Sequence, residues 1–210
     1  MTILSSFLQL VFPENCTHCQ FSPVQNRWRL CDTCKAEIPS SMSRIRNREL
    51  FAAVWGLGSY RGPLGALIRR GKYKPDRQLF EALGYHLATS CDVPPDIDAV
   101  VHVPMPWMRK LSRGFDQADI LAECVARQLG KPHIPALRRL QPEEQAAKSK
   151  VARQQDLSAR FAVCRPLPPT VLLVDDVFTT GATLDACALQ LLNQSTERLY
   201  AVVLASVTIA

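Results

Sequence analysis

The segment 171–184, VLLVDDVFTTGATL, restricts the fold of this chain more than any other part of the sequence. Its first four residues are apolar without polar alternation, which is typical of a strand buried on both faces of a parallel sheet. Two adjacent carboxylates follow, Asp175 and Asp176, and then a hydroxyl-rich loop that opens a helix. Because strand, loop and helix alternate in this way in parallel sheets, the segment predicts an α/β fold.

A second stretch has the same form. Residues 97–103 (IDAVVHV) follow two prolines, as residues 171–174 do, and each run leads into a loop and a helix. Apolar periodicity and capping residues predict the remaining elements. These are strands over 51–57 and 199–207, and helices that run from Pro63 to a stop at Gly71, from Asp76, from Asp116 to Gly130, and from Thr180 or Gly181 onward.

Four of the eight cysteines form two Cys-x2-Cys pairs, separated by eleven residues: Cys16, Cys19, Cys31 and Cys34. Four thiolates on two tight turns suit tetrahedral Zn²⁺ and leave no position for water, so the metal would be structural. A unit of about forty residues buries little core, so the metal would supply most of its folding free energy. The alternatives are two disulfides, or His18 in place of one cysteine. The other four cysteines lie among apolar residues and predict buried thiols.

The composition is that of a globular protein, with 47% hydrophobic and 21% charged residues among 210. No apolar run approaches the roughly 18 residues of a membrane helix, and residues 3–12 lack the features of a signal peptide. We therefore expect a cytoplasmic protein without membrane insertion. Its expected parts are a zinc unit over 1–42, a linker over 43–50 and an α/β domain over 51–210. The polar segment 138–158 predicts a mobile loop or a solvated helix.

The net charge of +6 is concentrated between residues 44 and 77, which hold nine basic and two acidic side chains. Two interpretations remain open for this basic stretch. It is either an ordinary solvated face or a surface for a phosphate-rich ligand.

The loop after the acidic pair has the chemistry of an anion site. Backbone N–H groups at a helix N-terminus, together with the three hydroxyls of Thr179, Thr180 and Thr183, can cradle a phosphate, and Gly181 lets the backbone close around it. A ribose fits between the carboxylates and this cradle, since its hydroxyls donate to the carboxylates while its 5′-phosphate binds the loop. The nucleotide P-loop pattern is absent.

The same segment resembles the phosphoribosyl pyrophosphate (PRPP) signature of type I phosphoribosyltransferases. With the cysteine pairs, the chain resembles the ComF/GntX family over nearly its whole length. The further motifs are Phe12-Pro13, residues 103–106, residues 113–117 (RGFDQ), Gln145 and Arg153. The resemblance implies a cytosolic protein of natural competence and imported-DNA use, with a small zinc ribbon before a phosphoribosyltransferase-like domain. The chain departs from the family at Asp116, Lys148 and Asp156, where the family has Asn, Leu and Asn.

The resemblance also implies roles for individual residues. Asp175 and Asp176 would hold the ribose hydroxyls and steady the charge that develops at the anomeric carbon. The 5′-phosphate would bind Thr179, Thr180, Gly181, Ala182 and Thr183. Mg²⁺ would arrive with the pyrophosphate, which the loop 104–113 would hold through Arg109, Lys110 and Arg113. The alternative for these three side chains is ordinary solvated charge.

Three functions remain open at this point. The first is an active phosphoribosyltransferase that acts on a nucleobase or a nucleotide-derived acceptor. The second is a binding protein that keeps the PRPP fold as a sensor or scaffold, and contacts single-stranded DNA or a DNA-uptake helicase. Its DNA surface would lie on the zinc unit and the basic stretch, centred on Arg69, Arg70 and Lys72, with aromatic rings nearby. The third is a regulator similar to the PRPP-fold repressors.

Overall fold

The computed structural model describes residues 14–24, 26, 28–45, 49–140, 160–194 and 196–209. The family motifs at Phe12-Pro13, Gln145 and Arg153, the departures at Lys148 and Asp156, and most of the segment 138–158 lie outside these residues. The described elements are, in chain order, β1 (Glu14–Asn15), β2 (Pro23–Val24), α1 (Asp32–Ala36), β3 (Ser43–Ile45), β4 (Ala53–Ser59), α2 (Pro63–Tyr73), α3 (Arg77–Thr89), β5 (Ala99–His102), α4 (Trp107–Arg113), α5 (Gln117–Leu129), β6 (Leu137–Arg139), β7 (Phe161–Val163), β8 (Thr170–Phe178), α6 (Ala182–Leu192) and β9 (Arg198–Ser206).

The main sheet has five strands in the order β3-β4-β9-β8-β5. Strands β4, β9, β8 and β5 run parallel, and β3 pairs antiparallel with β4 at one edge. The apolar runs of β5 and β8 are buried, as expected for strands covered on both faces. The predicted α/β class with a mainly parallel sheet is confirmed. The segment 43–50 was predicted as a linker, but its first three residues form β3 and pair with β4 at the edge of the sheet.

The predicted end of one helix and one predicted loop were wrong. Helix α2 does not stop at Gly71 but continues to Tyr73, with Gly71 buried inside it. A Cβ at Gly71 would lie 2.7 Å from Cε2 of Phe80, so the glycine is needed for the close packing of α2 against α3 rather than for a helix end. The stretch predicted as the loop 104–113 contains the short helix α4, which ends at Gly114 with a left-handed φ of 79°.

Two apolar clusters cover the sheet, one on each face. The cysteine-rich segment packs into the first of them, where Cys16 and Leu30 share a core with Leu64 and Phe80. His86 on α3 also contacts this segment, since its Nε2 lies 2.8 Å from the carbonyl oxygen of Pro39. The N-terminal unit is therefore seated on α2 and α3 of the α/β body.

Among the described residues, no helix combines the length and the apolar character required to cross a bilayer.

Candidate functional site

A cleft of about 140 Å³ lies at the carboxyl ends of β5 and β8. Open parallel sheets bind their ligands at this edge. The lining includes side chains from α2, α4, α5 and β6 as well as the two strand ends: Lys72, Val103, Pro104, Met105, Arg109, Arg113, Asp116, Gln117, Ala118, Arg139, Asp175, Asp176 and Thr183.

The predicted acidic pair lines this cleft. Asp175 and Asp176 lie within β8, because the strand continues past the apolar run to Phe178. The backbone N–H of Asp176 donates to Oδ1 of Asp175 at 2.8 Å. Burial, followed by the neighbouring charge of Asp176, raises the pKa of Asp175 well above its usual range, although that backbone donor and Lys72 act in the opposite direction. Burial and the neighbouring carboxylate thus favour the protonated form of Asp175.

Lys72 lines the cleft, a position that the sequence analysis did not predict. Its Nζ lies 2.8 Å from Oδ2 of Asp176, although the sequence offered it only as part of the basic stretch. The contact arises because α2 extends beyond Gly71 and carries Lys72 over the strand end. No local pattern links a lysine on α2 to an aspartate about one hundred positions later, so only the tertiary structure reveals this pair.

The hydroxyl-rich loop has the shape that the sequence predicts for a helix start. Gly181 has a φ of 84° and is the N-cap of α6, a conformation that glycine adopts without steric cost. The backbone N–H of Ala182 points toward Oγ1 of Thr180 at 3.4 Å, and Thr183 lines the cleft. Thr179 and Thr180 are exposed. The five residues 179–183 therefore surround the N-terminus of α6 beside the acidic pair, and their phosphate-binding role stays a prediction.

The cleft also brings together cations from distant parts of the chain. Arg109 and Arg113 line it from α4, whereas Lys110 on the same helix is absent from the lining. Arg139 joins them from within the segment 138–158, which the sequence analysis predicted as a mobile loop or a solvated helix. That prediction was wrong for residues 138 and 139, which belong to β6, and Arg139 was therefore missed as a cleft residue. Its guanidinium carbon lies 5.4 Å from the centre of the Phe161 ring, and burial is the main cause that lowers its pKa.

Asp116, one of the departures from the family pattern, is buried at the wall of the cleft. Its Oδ2 accepts from the N–H of Met105 at 2.9 Å and its Oδ1 accepts from that of Ala118 at 3.1 Å, so it caps α5 as predicted and also fixes the loop after β5. Burial raises its pKa, and these two donors partly offset the rise. The next residue, Gln117, accepts from Arg113 at 3.1 Å, while its buried Nε2 has no partner among the described residues.

The four N-terminal cysteines form one cluster, as predicted. Their sulfur atoms lie within 4.8 Å of one another, and Sγ of Cys19 is 3.9 Å from Sγ of Cys31. Tetrahedral Zn²⁺ with Zn–S bonds of about 2.3 Å requires sulfurs about 3.8 Å apart, so the cluster fits a metal ion of this type. Burial alone would raise the pKa of Cys16, but backbone donors lower it to about 6. His18 does not belong to the cluster.

The remaining cysteines only partly follow the prediction of buried thiols. Cys187 is buried, and Cys91 and Cys124 are partly covered. Cys164 is exposed, so the prediction was wrong for this residue. It follows the short strand β7, which pairs with β6 outside the main sheet and leaves the residue after it uncovered.

Within the described residues of the basic stretch, the central side chains have internal partners. Arg70 pairs with Asp76 at 3.1 Å, Lys72 pairs with Asp176, and Arg69 donates to the carbonyl oxygen of Tyr60 at 2.9 Å. The nearby aromatic rings are also mostly covered, apart from Tyr73, which is 86% exposed. A DNA surface centred on Arg69, Arg70 and Lys72 stays a prediction, and DNA phosphates would have to replace these internal partners.

Comparison with known proteins identifies the family. No family model matches the chain. The chain is 31% identical over 187 residues to Competence protein F of Haemophilus influenzae, a match that covers 81% of the chain and 75% of that protein. The chain belongs to the ComF family. It is also 30% identical over 176 residues to Competence protein ComFC of Bacillus subtilis, and this match covers 79% of the chain and 66% of the relative. The DNA utilization protein YhgH of Salmonella typhimurium is 25% identical over 216 residues, covering 88% of the chain and 93% of the relative.

A solved structure overlaps part of this ComF chain. The glutamine PRPP amidotransferase of B. subtilis, complexed with ADP and GMP, has a TM-score of 0.45 and 20% identity. The overlap covers 59% of the chain and 25% of that enzyme.

Proposed function

We propose that this ComF protein binds PRPP in the cleft at the end of β5 and β8, and that it acts in the uptake or use of imported DNA. One observation carries the first part: the acidic pair Asp175-Asp176 adjoins the N-terminus of α6 in a cleft that also holds four cationic side chains, Lys72, Arg109, Arg113 and Arg139. The relatives named for competence and DNA utilization support the second part.

The two ends of PRPP match two regions of the cleft. The ribose hydroxyls would donate to Asp175 and Asp176, and the 5′-phosphate would accept from the backbone and hydroxyls of residues 179–183. The pyrophosphate would lie toward Arg109 and Arg113, whose guanidinium groups bind phosphate oxygens through paired N–H donors. Mg²⁺ would come with the pyrophosphate and keep most of its water and phosphate ligands.

Lys72 and Arg139 extend the predicted site. Lys72 neutralises the negative charge of Asp176 in their ion pair. This lowers the repulsion between the two adjacent carboxylates, which are partly buried. When a ligand binds, the same ammonium would be available to its phosphate oxygens. Arg139, on β6, supplies a fourth cation to the lining of the cleft, where it would attract the negative charge of the ligand.

Calorimetric titration with PRPP and Mg²⁺ tests this proposal on the full chain loaded with zinc. We expect binding by the wild type, and an affinity about 10-fold to 150-fold weaker for Asp176→Asn, since a hydrogen bond to a charged group contributes about 1.5–3 kcal/mol. The matched control is Asp96→Asn, the same change at an exposed carboxylate paired with Arg198 before β5. Equal affinities for all three proteins, or no binding by the folded wild type, would refute the proposed site.

Turnover is a separate question from binding. In a phosphoribosyl transfer, a nitrogen of the acceptor forms a bond to the anomeric carbon of the ribose while the bond to pyrophosphate breaks. Pyrophosphate release with nucleobases or nucleotide fragments as acceptors would therefore establish an enzyme. Binding of PRPP without release for any acceptor would favour a sensor or scaffold.

A second candidate function, contact with single-stranded nucleic acid, is favoured by α4. This helix exposes three large apolar side chains next to Arg109, Lys110 and Arg113; the exposed fractions are 51% for Trp107, 59% for Met108 and 71% for Leu111. Positive charge beside stackable rings is the usual composition of surfaces for single strands. Fluorescence anisotropy with a labelled single-stranded oligonucleotide should show binding whose affinity falls as the salt concentration rises. The affinity of Trp107→Ala should be lower than that of the wild type at the same salt concentration. Tyr73→Ala is the matched control, and an equal loss in that variant would argue against α4.

We also propose a structural zinc ion in the N-terminal unit, held by Cys16, Cys19, Cys31 and Cys34. The spacing of the sulfurs supports it. Zinc analysis of the purified chain should show loss of one ion per chain on Cys19→Ser, whereas Cys164→Ser, a change at an exposed thiol outside the cluster, should leave the zinc content unchanged.

A further inference from the structure

A cluster of two histidines and an aspartate lies beside the cleft and has no part in the function proposed above. Its members are His102 at the end of β5, Asp119 in the first turn of α5, and His133 shortly after α5. The sequence gives no spacing motif for them, because they come from three separate elements. Each offers one atom of a type that binds metals, namely an imidazole nitrogen or a carboxylate oxygen.

The three atoms form a compact triangle. Nδ1 of His102 lies 3.0 Å from Nε2 of His133, and Oδ1 of Asp119 lies 3.6 Å and 3.8 Å from these two nitrogens. A circle through three points with these separations has a radius of about 2.0 Å. This value matches the bond lengths of about 2.0–2.2 Å that Zn²⁺ makes with imidazole nitrogen and carboxylate oxygen. One ion can therefore reach all three atoms without movement of the backbone.

The backbone around the cluster is held by hydrogen bonds. The N–H of Val100 donates to Pro132, and that of Ile134 donates back to Val100, both at 2.9 Å, so His133 is fixed against β5. Asp119 follows the N-cap Asp116, which holds the start of α5. Such preorganisation lowers the conformational cost of gathering the ligands on binding.

The cluster is also accessible to a metal ion. Asp119 is 43% exposed on its side chain, while His102 is 8% exposed, so the triangle opens toward solvent on one side.

We propose that His102, His133 and Asp119 form a second metal site, which takes a divalent transition-metal ion such as Zn²⁺. Imidazole ligands favour zinc, nickel, copper or cobalt over magnesium. Three protein ligands leave a position for water or another small ligand, which distinguishes this site from the closed cluster of four cysteines. The proposal is independent of PRPP binding.

The first test is zinc binding by the full chain, equilibrated by dialysis against a buffer of fixed micromolar free zinc. We expect Asp119→Ala and His133→Ala each to hold one zinc ion fewer per chain than the wild type. The control Asp96→Ala removes an exposed carboxylate elsewhere and should match the wild type. Because the result is a difference between proteins, it does not depend on whether the cysteine cluster also binds zinc. Equal zinc contents in all four proteins would overturn the proposal and leave only a hydrogen-bonded histidine pair.

A cobalt titration gives a second readout that separates the two sites. Cobalt in the cysteine cluster produces charge-transfer absorption from thiolate, whereas cobalt held by nitrogen and oxygen produces only weak visible bands. We expect Asp119→Ala to lose one equivalent of the weak bands and to keep the thiolate absorption. Loss of neither, with circular dichroism showing a folded protein, would also contradict the assignment.

Discussion

Asp76 makes three contacts that together connect the N-terminal unit to the α/β body. Its Oδ1 accepts from the N–H of Leu79 at 3.0 Å and so caps α3. Its Oδ2 pairs with Arg70 at 3.1 Å and with Arg29, in the cysteine-rich segment, at 3.3 Å. The side chains of this cluster are only 17% to 29% exposed. Replacement of Asp76 therefore removes one cap and two partly covered ion pairs at once.

The magnitude follows from these contacts. Loss of an N-cap costs about 1 kcal/mol. Each partly covered ion pair contributes up to about 1 kcal/mol. Asp76→Ala should therefore lower the free energy of unfolding by about 1–3 kcal/mol. Asp76→Asn keeps a good capping side chain and loses the charge, so it should cost up to about 2 kcal/mol.

The assay is urea denaturation of the zinc-loaded full chain, with the wild type, both variants and the control Glu81→Gln. Glu81 forms an exposed i,i+4 pair with Arg77 at 2.8 Å, and its loss should cost only about 0.3–0.5 kcal/mol. If Asp76→Asn is as stable as the wild type, the two ion pairs contribute nothing. If Asp76→Ala costs no more than Glu81→Gln, the reasoning about all three contacts is refuted.

Three further predictions concern the cleft, the core and the cysteine cluster. Asp175→Asn should stabilise the fold near pH 7. The pKa of Asp175 is higher in the folded state than in the unfolded state, so the wild-type carboxyl contributes stability below its unfolded-state pKa. This contribution is lost as the pH rises through the folded-state pKa, and the neutral amide of the variant avoids that loss. Thermal unfolding at pH 5 and pH 8 checks it, and an advantage of the variant that shrinks as pH rises would contradict it. Gly71→Ala should lower the free energy of unfolding by about 1–3 kcal/mol, because the added methyl group would contact the ring of Phe80. This cost should exceed the gain from the better helix propensity of alanine. A variant more stable than the wild type in urea denaturation would show that α2 and α3 can move apart without cost. Removal of zinc by a chelator should expose the partly buried Trp28, with a red shift of its fluorescence, and unchanged emission would mean that the unit folds without metal.

The sequence predicted the parallel sheet because its strands are short, apolar and followed by turn and capping residues. The signal in residues 171–184 is local: a buried strand, two carboxylates and a helix start occupy consecutive positions, so one element carries the centre of the candidate site. The same holds for the cysteine pairs, whose ligand spacing is fixed by two tight turns. Asp76 and Asp116 were likewise recognisable as caps from their immediate neighbours.

Local patterns failed where the structure depends on contacts between elements. Glycine is a residue type that commonly ends a helix, but Gly71 lies inside α2, where it allows close packing against Phe80. Residues 104–113 begin with prolines and read as a loop, yet their last seven residues form α4. In the first case a tertiary contact outweighed the local preference of the residue, and in the second a helix of about two turns follows directly after the prolines.

The sequence by itself determined the α/β class, the acidic pair with its hydroxyl-rich loop, and the set of four cysteines, since each depends on residues that are close along the chain. Only the tertiary structure decided which cations face the acidic pair. In the folded chain, Lys72 of the basic stretch pairs with Asp176, and Arg139 lines the same cleft. The tertiary structure also brought His102, Asp119 and His133 together. The physical reason is that side chains from separate elements meet only when the sheet and its helices pack, and no spacing in the sequence records that distance.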